Sequence, residues 1–339
     1  MAITFDDTFD KVQECFKEPT IESQLTQKLE SVTIIRDIYG KIRLFLEPLE
    51  GVKLEKTDIS QLKSFLEQKL GYYYGQDIWL PEGQKDGYKA LIEVIKKERI
   101  EAEWNDQAIF PHWHILERHV AKQAWTNKNS STPPWEQKYV DQGDQPAVVT
   151  FFSFKGGVGR TTTLVATALN LARNGHRVAI VDLDLEAPGL STIFFSDSSD
   201  QFGVIDYLLE KKIKESSWSL KNRLLPINQR ILLEDYGETM RLLPAGTVDK
   251  NYLEKLARLD FQNLVDNQPS NYLRLPDILR NMLKEIKGEI QNLDFILLDA
   301  RAGFHDIGGL ALADLSHAAV IFGTQSRQSW AGLTPIQFS

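Results

Sequence analysis

From residue 147 onward the chain alternates between unbroken apolar runs and segments whose apolar residues recur every three to four positions. Residues 147–154 (AVVTFFSF) form a continuous apolar run, as expected of a parallel strand buried on both faces. In residues 161–174, Leu164, Val165, Ala168, Leu171 and Ala172 share one helical face, and Asn174-Gly175 supplies a C-cap. Four more apolar runs follow, at 177–184 (RVAIVDLD), 240–246 (MRLLPAG), 294–300 (DFILLDA) and 317–324 (HAAVIFGT). The stretch 201–238 is helical and charged in places, with no clear motif. Repeated strand–helix units with apolar strands predict an α/β fold, a doubly wound, mostly parallel sheet.

The preceding part has a different rhythm. Residues 33–48 hold two short apolar runs around Tyr39-Gly40, which predicts strand–turn–strand. In residues 59–74, Leu62, Phe65, Leu66, Leu70 and Tyr73 fall at helical spacing after a cap at Asp58 or Ser60. Residues 87–104 and 113–125 read as two more amphipathic helices. Residues 126–146 are polar, contain three prolines and have no periodicity, which predicts a linker. The expected organisation is a smaller mixed α+β domain over 1–125, a linker over 126–146, and the sheet domain over 147–339. Five of the seven tryptophans precede residue 147, so the first domain is expected to own a packed aromatic core.

Composition narrows the picture. A chain of 339 residues is long enough for two or three packed units. Its 42% hydrophobic and 25% charged residues are ordinary for a globular protein. A net charge of -8 and a pI near 5.4 argue against a surface that coats nucleic acid. The single cysteine, Cys15, excludes an internal disulfide and a cysteine-based zinc site, and it fits a reducing cytoplasm. No apolar run approaches the ~18–20 residues that span a bilayer, and the N-terminus lacks a secretory pattern, so no membrane is expected.

The chemistry concentrates in Lys155-Gly156-Gly157-Val158-Gly159-Arg160-Thr161-Thr162, between a predicted strand and a predicted helix. Glycines let backbone N–H groups converge on a phosphate, and the following helix adds the positive end of its dipole. A cation then reaches the β- and γ-phosphates, while a hydroxyl, here that of Thr161, ligates Mg2+. The plain alternative is a glycine turn that binds nothing. The flanking strand and helix weigh against it, as do two acidic motifs. Asp182 and Asp184 lie two apart at a strand end, which predicts that both face one side. Asp299 closes the apolar strand of 295–303 (FILLDARAG).

KGGVGRTT resembles the deviant Walker A motif, KGGxGK[ST][ST], of the ParA/MinD/Mrp-like P-loop ATPases. The resemblance covers about 147–333. It implies Mg-ATP binding and an ATP-dependent homodimer in which Lys155, the signature lysine, reaches the partner's nucleotide. It further implies that Asp184 contacts the attacking water or the Mg2+ shell. Asp182 supports the metal site, and Asp299 holds Mg2+ through water in the Walker B position. Gly303 and Arg301 fall in switch II, where Gly303 offers an N–H to the γ-phosphate and Arg301 can reach phosphate, a partner subunit or Asp299. ATP over GTP rests on the resemblance alone. Two positions depart from the pattern: Arg160 stands where the family has lysine, and Arg301 replaces a residue of the usual DxPxG. A guanidinium is a planar fork where an ammonium is a compact charge, so slow, altered or absent hydrolysis all stay open. The family fold continues beyond the last predicted strand, so the sheet domain is expected to lack its C-terminal part.

Other candidates have plainer readings. His112, His114 and His119 are more simply packed or capping histidines at a helix start than metal ligands. Lys96, Lys97, Glu98 and Arg99 read as a solvated helix face. Tyr72, Tyr73 and Tyr74 read as core and rim, and His305 and Asp306 as a solvated loop. The leading functional expectation is a dimerising Mg-ATPase switch with an N-terminal domain that engages an unidentified protein partner, as in a bacterial regulatory or antiphage system. The alternatives are a nucleotide-binding module with little turnover and a bacterial tyrosine-kinase-like enzyme.

Overall fold

The computed structural model describes residues 3–81, 88–106, 109, 111–118, 125, 133–195, 201–214, 219–227, 239–259 and 274–333. The chain divides into two compact units, Met1–His119 and Val120–Ser339.

The first unit is a five-stranded mixed sheet in the order β3-β2-β1-β5-β4. Strands β1 (Leu29–Arg36) and β2 (Ile42–Pro48) form the expected hairpin. Its turn is held by Asp37, whose carboxylate accepts the N–H groups of Tyr39 and Lys41 at 2.9 Å. Both faces of the hairpin are covered, which explains its unbroken apolar runs. Val32, Ile34, Leu44 and Leu46 pack with Val12 and Phe16 of the helix Thr8–Phe16 and with Leu62, Leu66 and Leu70 of the helix Lys56–Leu70. Ile35 and Phe45 face the other way, onto Ile92 and Ile95 of the helix Tyr88–Glu98. The helix read over 59–74 stops at Leu70, because Gly71 at φ +51° turns the chain into β3 (Tyr74–Trp79). The helix read over 87–104 ends at Glu98, and β4 (Ile100–Glu101) follows.

One expected helix is a strand. His112–Glu117 is β5, paired parallel with β1 from Ser31↔His112 to Arg36↔Glu117. Trp113 joins the core on one face and Leu116 the core on the other, as the two-residue period of a strand requires. Pairing with β1 overrides the helical spacing. The remainder of that predicted helix, apart from Arg118 and Trp125, lies outside the described residues.

The second unit is a six-stranded sheet in the order β11-β6-β10-β7-β9-β8. Strands β6 (Ala147–Ser153), β7 (Val178–Asp182), β9 (Met240–Leu243), β10 (Phe295–Asp299) and β11 (Ala318–Phe322) pair in parallel, and the short β8 (Leu225–Pro226) is antiparallel to β9. These five parallel strands are the five read from the sequence, each one to three residues shorter. The helices Val204–Lys214 and Leu275–Glu289 cover one face, and Arg160–Arg173 covers the other. Within the predicted linker, Gln137–Asp141 forms a short helix, and Trp135 donates its indole N–H to the Pro146 carbonyl at 2.8 Å.

Candidate functional site

The parallel sheet decides where the chemistry gathers. Asp299, the last residue of β10, is in register with Asp182 at the end of β7 and with Phe151 near the end of β6. Three loops therefore leave the same edge side by side, where ligands bind in open α/β sheets. Between β6 and the helix Arg160–Arg173, Gly157 and Gly159 take left-handed φ values of +75° and +85°. A Cβ added at Gly156, Gly157 or Gly159 would meet no heavy atom within 4 Å. Packing within the protein thus does not require glycine there, and the bare backbone faces open space. That space is a cavity of about 280 Å³ lined by residues 156–162 with Ser153, Asp184 and Ala302.

Charge fills the floor of this cavity. Arg160 is 9% exposed, and its Nε donates to Asp299 Oδ1 at 2.6 Å. Its Nη2 reaches Asp184 Oδ2 at 3.1 Å and stands 3.5 Å from Thr161 Oγ1. Thr161 Oγ1 donates to the second oxygen of Asp299 at 2.7 Å. Burial pushes the Asp299 carboxyl above its usual range, and the Arg160 charge and the Thr161 hydroxyl pull the other way. Asp182 is fully buried, and its oxygens accept the N–H groups of Asp184 at 3.1 Å, Gly189 at 3.3 Å and Leu190 at 3.2 Å. Burial and the neighbouring Asp299 push its carboxyl up to about 7.

These groups fit a magnesium-bound polyphosphate. Mg2+ takes one or two protein oxygens and fills the rest of its shell with water and phosphate, so a hydroxyl and a carboxylate beside a glycine cradle suffice. Ser153 Oγ, buried at the cavity wall and without a hydrogen-bond partner among the described residues, is a further polar atom open to a ligand. Among the described residues no group of three or more His, Cys, Asp or Glu is placed to hold a metal by itself.

A family model described as an AAA domain matches residues 147–334, more than half of the chain. The chain belongs to that family, and its fold is that of the ParA/MinD-like P-loop ATPases. The septum site-determining protein MinD of Neisseria meningitidis is 22% identical over 174 residues, covering 51% of this chain and 52% of that one. MinD of Helicobacter pylori is 28% identical over 132 residues, covering 36% and 44%. The chain thus spans about half the length of these curated relatives. Among solved structures, MinD of Pyrococcus horikoshii complexed with Mg-ADP is 22% identical, covering 57% of this chain and 62% of that chain at a TM-score of 0.38.

Within this P-loop ATPase fold the predicted residues take distinct places. Gly156 to Thr162, Asp184 and Asp299 converge on the cavity or its floor. Asp182 sits behind them and ties down the loop 183–190. Strand β7 ends at Asp182, so Asp184 is aimed by that loop and not by strand alternation. Lys155 is exposed, outside the cavity lining, with its ammonium 5.6 Å from the centre of the Phe154 ring. Gly303, at φ +85°, donates its N–H to the Ser153 carbonyl at 3.0 Å. Arg301 reaches neither Asp299 nor the cavity floor and forms an ion pair with Glu186.

Sequence reasoning missed Glu186. It joins the loop after β7 to the loop after β10 through Arg301, and His305 Nδ1 lies 3.8 Å away. It also missed the role of Trp125, whose indole N–H donates to the His305 carbonyl at 2.8 Å and whose ring packs on Phe152 and Phe304. Nothing in their spacing signals either contact. The histidine pair His112 and His114 lies on β5 in place of a helix start, and His119 falls outside the described residues. Arg99 is not a solvated residue: it pairs with Glu47 and donates to Thr33 at 3.1 Å.

Proposed function

We propose that this chain binds Mg-ATP at the loop 155–162 and uses it as a dimerising, hydrolysable switch, with Met1–His119 engaging a protein partner. The observation that carries the reading is the convergence of a bare glycine cradle, a buried cation, a hydroxyl and two carboxylates on one cavity. In this assignment the N–H groups of residues 156–162 cradle the phosphates, aided by the N-terminus of the helix Arg160–Arg173. Thr161 and Asp299 would hold Mg2+, which would supply positive charge against the phosphates. Asp184 orients the attacking water, while Asp182 fixes the loop that carries it. Exposure of Lys155 outside its own cavity supports a role at a partner subunit's nucleotide. The preference for ATP follows from the family.

Calorimetry with Mg-ATP, together with phosphate release by the wild type and by Asp184→Ala, tests the reading. Binding by both proteins with turnover only in the wild type is expected. Absence of nucleotide uptake overturns it. A second reading, a nucleotide-binding module with little turnover, is favoured by the bond between Arg160 and Asp184, which engages the group that would orient water. Tight binding with no turnover in either protein selects that second reading.

A further inference from the structure

Arg160 does more in this structure than stand where the family has lysine. Its planar fork spans a carboxylate at the end of β10 and one in the loop after β7, with Nε on Asp299 and Nη2 on Asp184, and it is almost wholly enclosed. The oxygens it occupies or abuts, those of Asp299, Asp184 and Thr161, are the ones a metal ion in this cavity would need. We propose that Arg160 is the resident cation of the nucleotide-free site, and that Arg160 and a divalent metal exclude each other from it. The proposal deepens the nucleotide-binding reading above and concerns how that same site is loaded.

The charge balance supports it. Two buried carboxylates carry two negative charges, and one guanidinium leaves a residual of minus one. A divalent ion added to that set would reverse the sign and sit within a few ångströms of a fixed positive charge at low effective dielectric, which is costly. Unpaired, the same two carboxylates would repel one another and draw a metal in. A nucleoside triphosphate changes the balance, because it brings several negative charges to the cradle and offers the guanidinium a planar, bidentate alternative to carboxylate. Arg160 then turns to phosphate, and the carboxylate of Asp299 and hydroxyl of Thr161 are released together. Metal therefore enters with or after the nucleotide and not before it. Arginine suits this role because its donors are fixed relative to one another, so one side chain ties the end of β10 to the loop after β7.

The test is a Mn2+ titration followed by electron paramagnetic resonance, on the full chain without nucleotide. Wild type is expected to leave Mn2+ free in solution. Arg160→Gln, which removes the charge and leaves a shorter, neutral side chain that still hydrogen-bonds, is expected to bind Mn2+ at least about tenfold more tightly. Equal uptake by the two proteins overturns the proposal. Should Arg160→Gln fail to fold, the wild type alone decides: Mn2+ bound in the absence of nucleotide overturns the proposal, and Mn2+ bound only after ATP is added supports it. A wild type that takes up no nucleotide, beside an Arg160→Gln variant that gains Mn2+, would sink the ATP reading and leave the role of Arg160 standing.

Discussion

Thr161 shows how much one side chain commits to in this site. Its hydroxyl donates to Asp299 at 2.7 Å, and it stands at the first turn of the helix Arg160–Arg173 behind a glycine cradle. Replacing it with alanine removes the oxygen proposed to bind Mg2+ without opening a buried cavity. In Thr161→Ala, affinity for ATP in the presence of Mg2+ is expected to fall at least about tenfold, or ~1.4 kcal/mol, while affinity in EDTA stays within a factor of about two. Calorimetry in the two buffers measures both. At this scale the sequence was informative wherever chemistry depends on consecutive residues. The glycines, Thr161 and the terminal aspartates of two apolar strands are local patterns, and the fold brings them to one edge of the sheet. Arg160 was legible as a departure but not as a bridge, because the spacing of 139 residues to Asp299 carries no signal. Glu186 was invisible for the same reason: its partner Arg301 lies on another loop, brought near only by the β7–β10 register.

At the scale of elements, the loop after β10 is held from outside the sheet. Trp125 donates to the His305 carbonyl, its ring centre lies 5.4 Å from that of Phe152 and 5.1 Å from that of Phe304, and Phe304 also meets Phe154 at 5.1 Å. Truncating Trp125 to alanine removes this packing and one of the two donors to the His305 carbonyl, which keeps the Gly309 N–H at 2.9 Å. A loss of about 3 kcal/mol is expected in denaturant titrations followed by circular dichroism. The neighbouring Gly309 must stay small, since an added Cβ would lie 2.6 Å from the Trp125 indole nitrogen. A harder constraint sits at Gly203, where a Cβ would lie 2.3 Å from the backbone nitrogen of Gly246. Backbone cannot swing aside as a side chain does, so Gly203→Ala is expected to cost at least about 2 kcal/mol by the same measurement. Strand β5 marks the limit of element-level reading. Residues 112–117 have aromatic and aliphatic residues at positions compatible with either period. The choice between helix and strand falls to β1, which offers a hydrogen-bonding edge more than seventy residues upstream in the chain.

At the scale of the whole molecule, the two units have separate cores and separate charge chemistry, so acid should act on them differently. In the first unit Glu47 accepts from Ser31 at 2.7 Å, from Lys96 at 2.6 Å and from Arg99, with only 13% of its side chain exposed. Burial alone would raise its carboxyl, but these donors and the Arg99 charge outweigh burial and hold it at about 2, against 4.5 for a free glutamate. A carboxyl depressed in the folded state stabilises fully above its unfolded value. As pH falls from 4.5 towards 2 the unfolded chain takes up the proton first, so that stabilisation drains away across this window. Glu47→Gln leaves Arg99 without its buried counter-charge and is expected to destabilise the first unit by about 3 kcal/mol at neutral pH. The gap between variant and wild type should close as pH drops through the same window. Cys15 provides a readout confined to this unit: it is the sole cysteine, is fully buried, and has its thiol pushed up to about 12 by burial. Its labelling by a dithiodipyridine reagent under increasing urea therefore reports unfolding of Met1–His119. A Glu47→Gln labelling midpoint equal to that of the wild type at neutral pH would show that the ion network contributes nothing net. The apolar faces of the β1–β2 hairpin would then be what holds the unit.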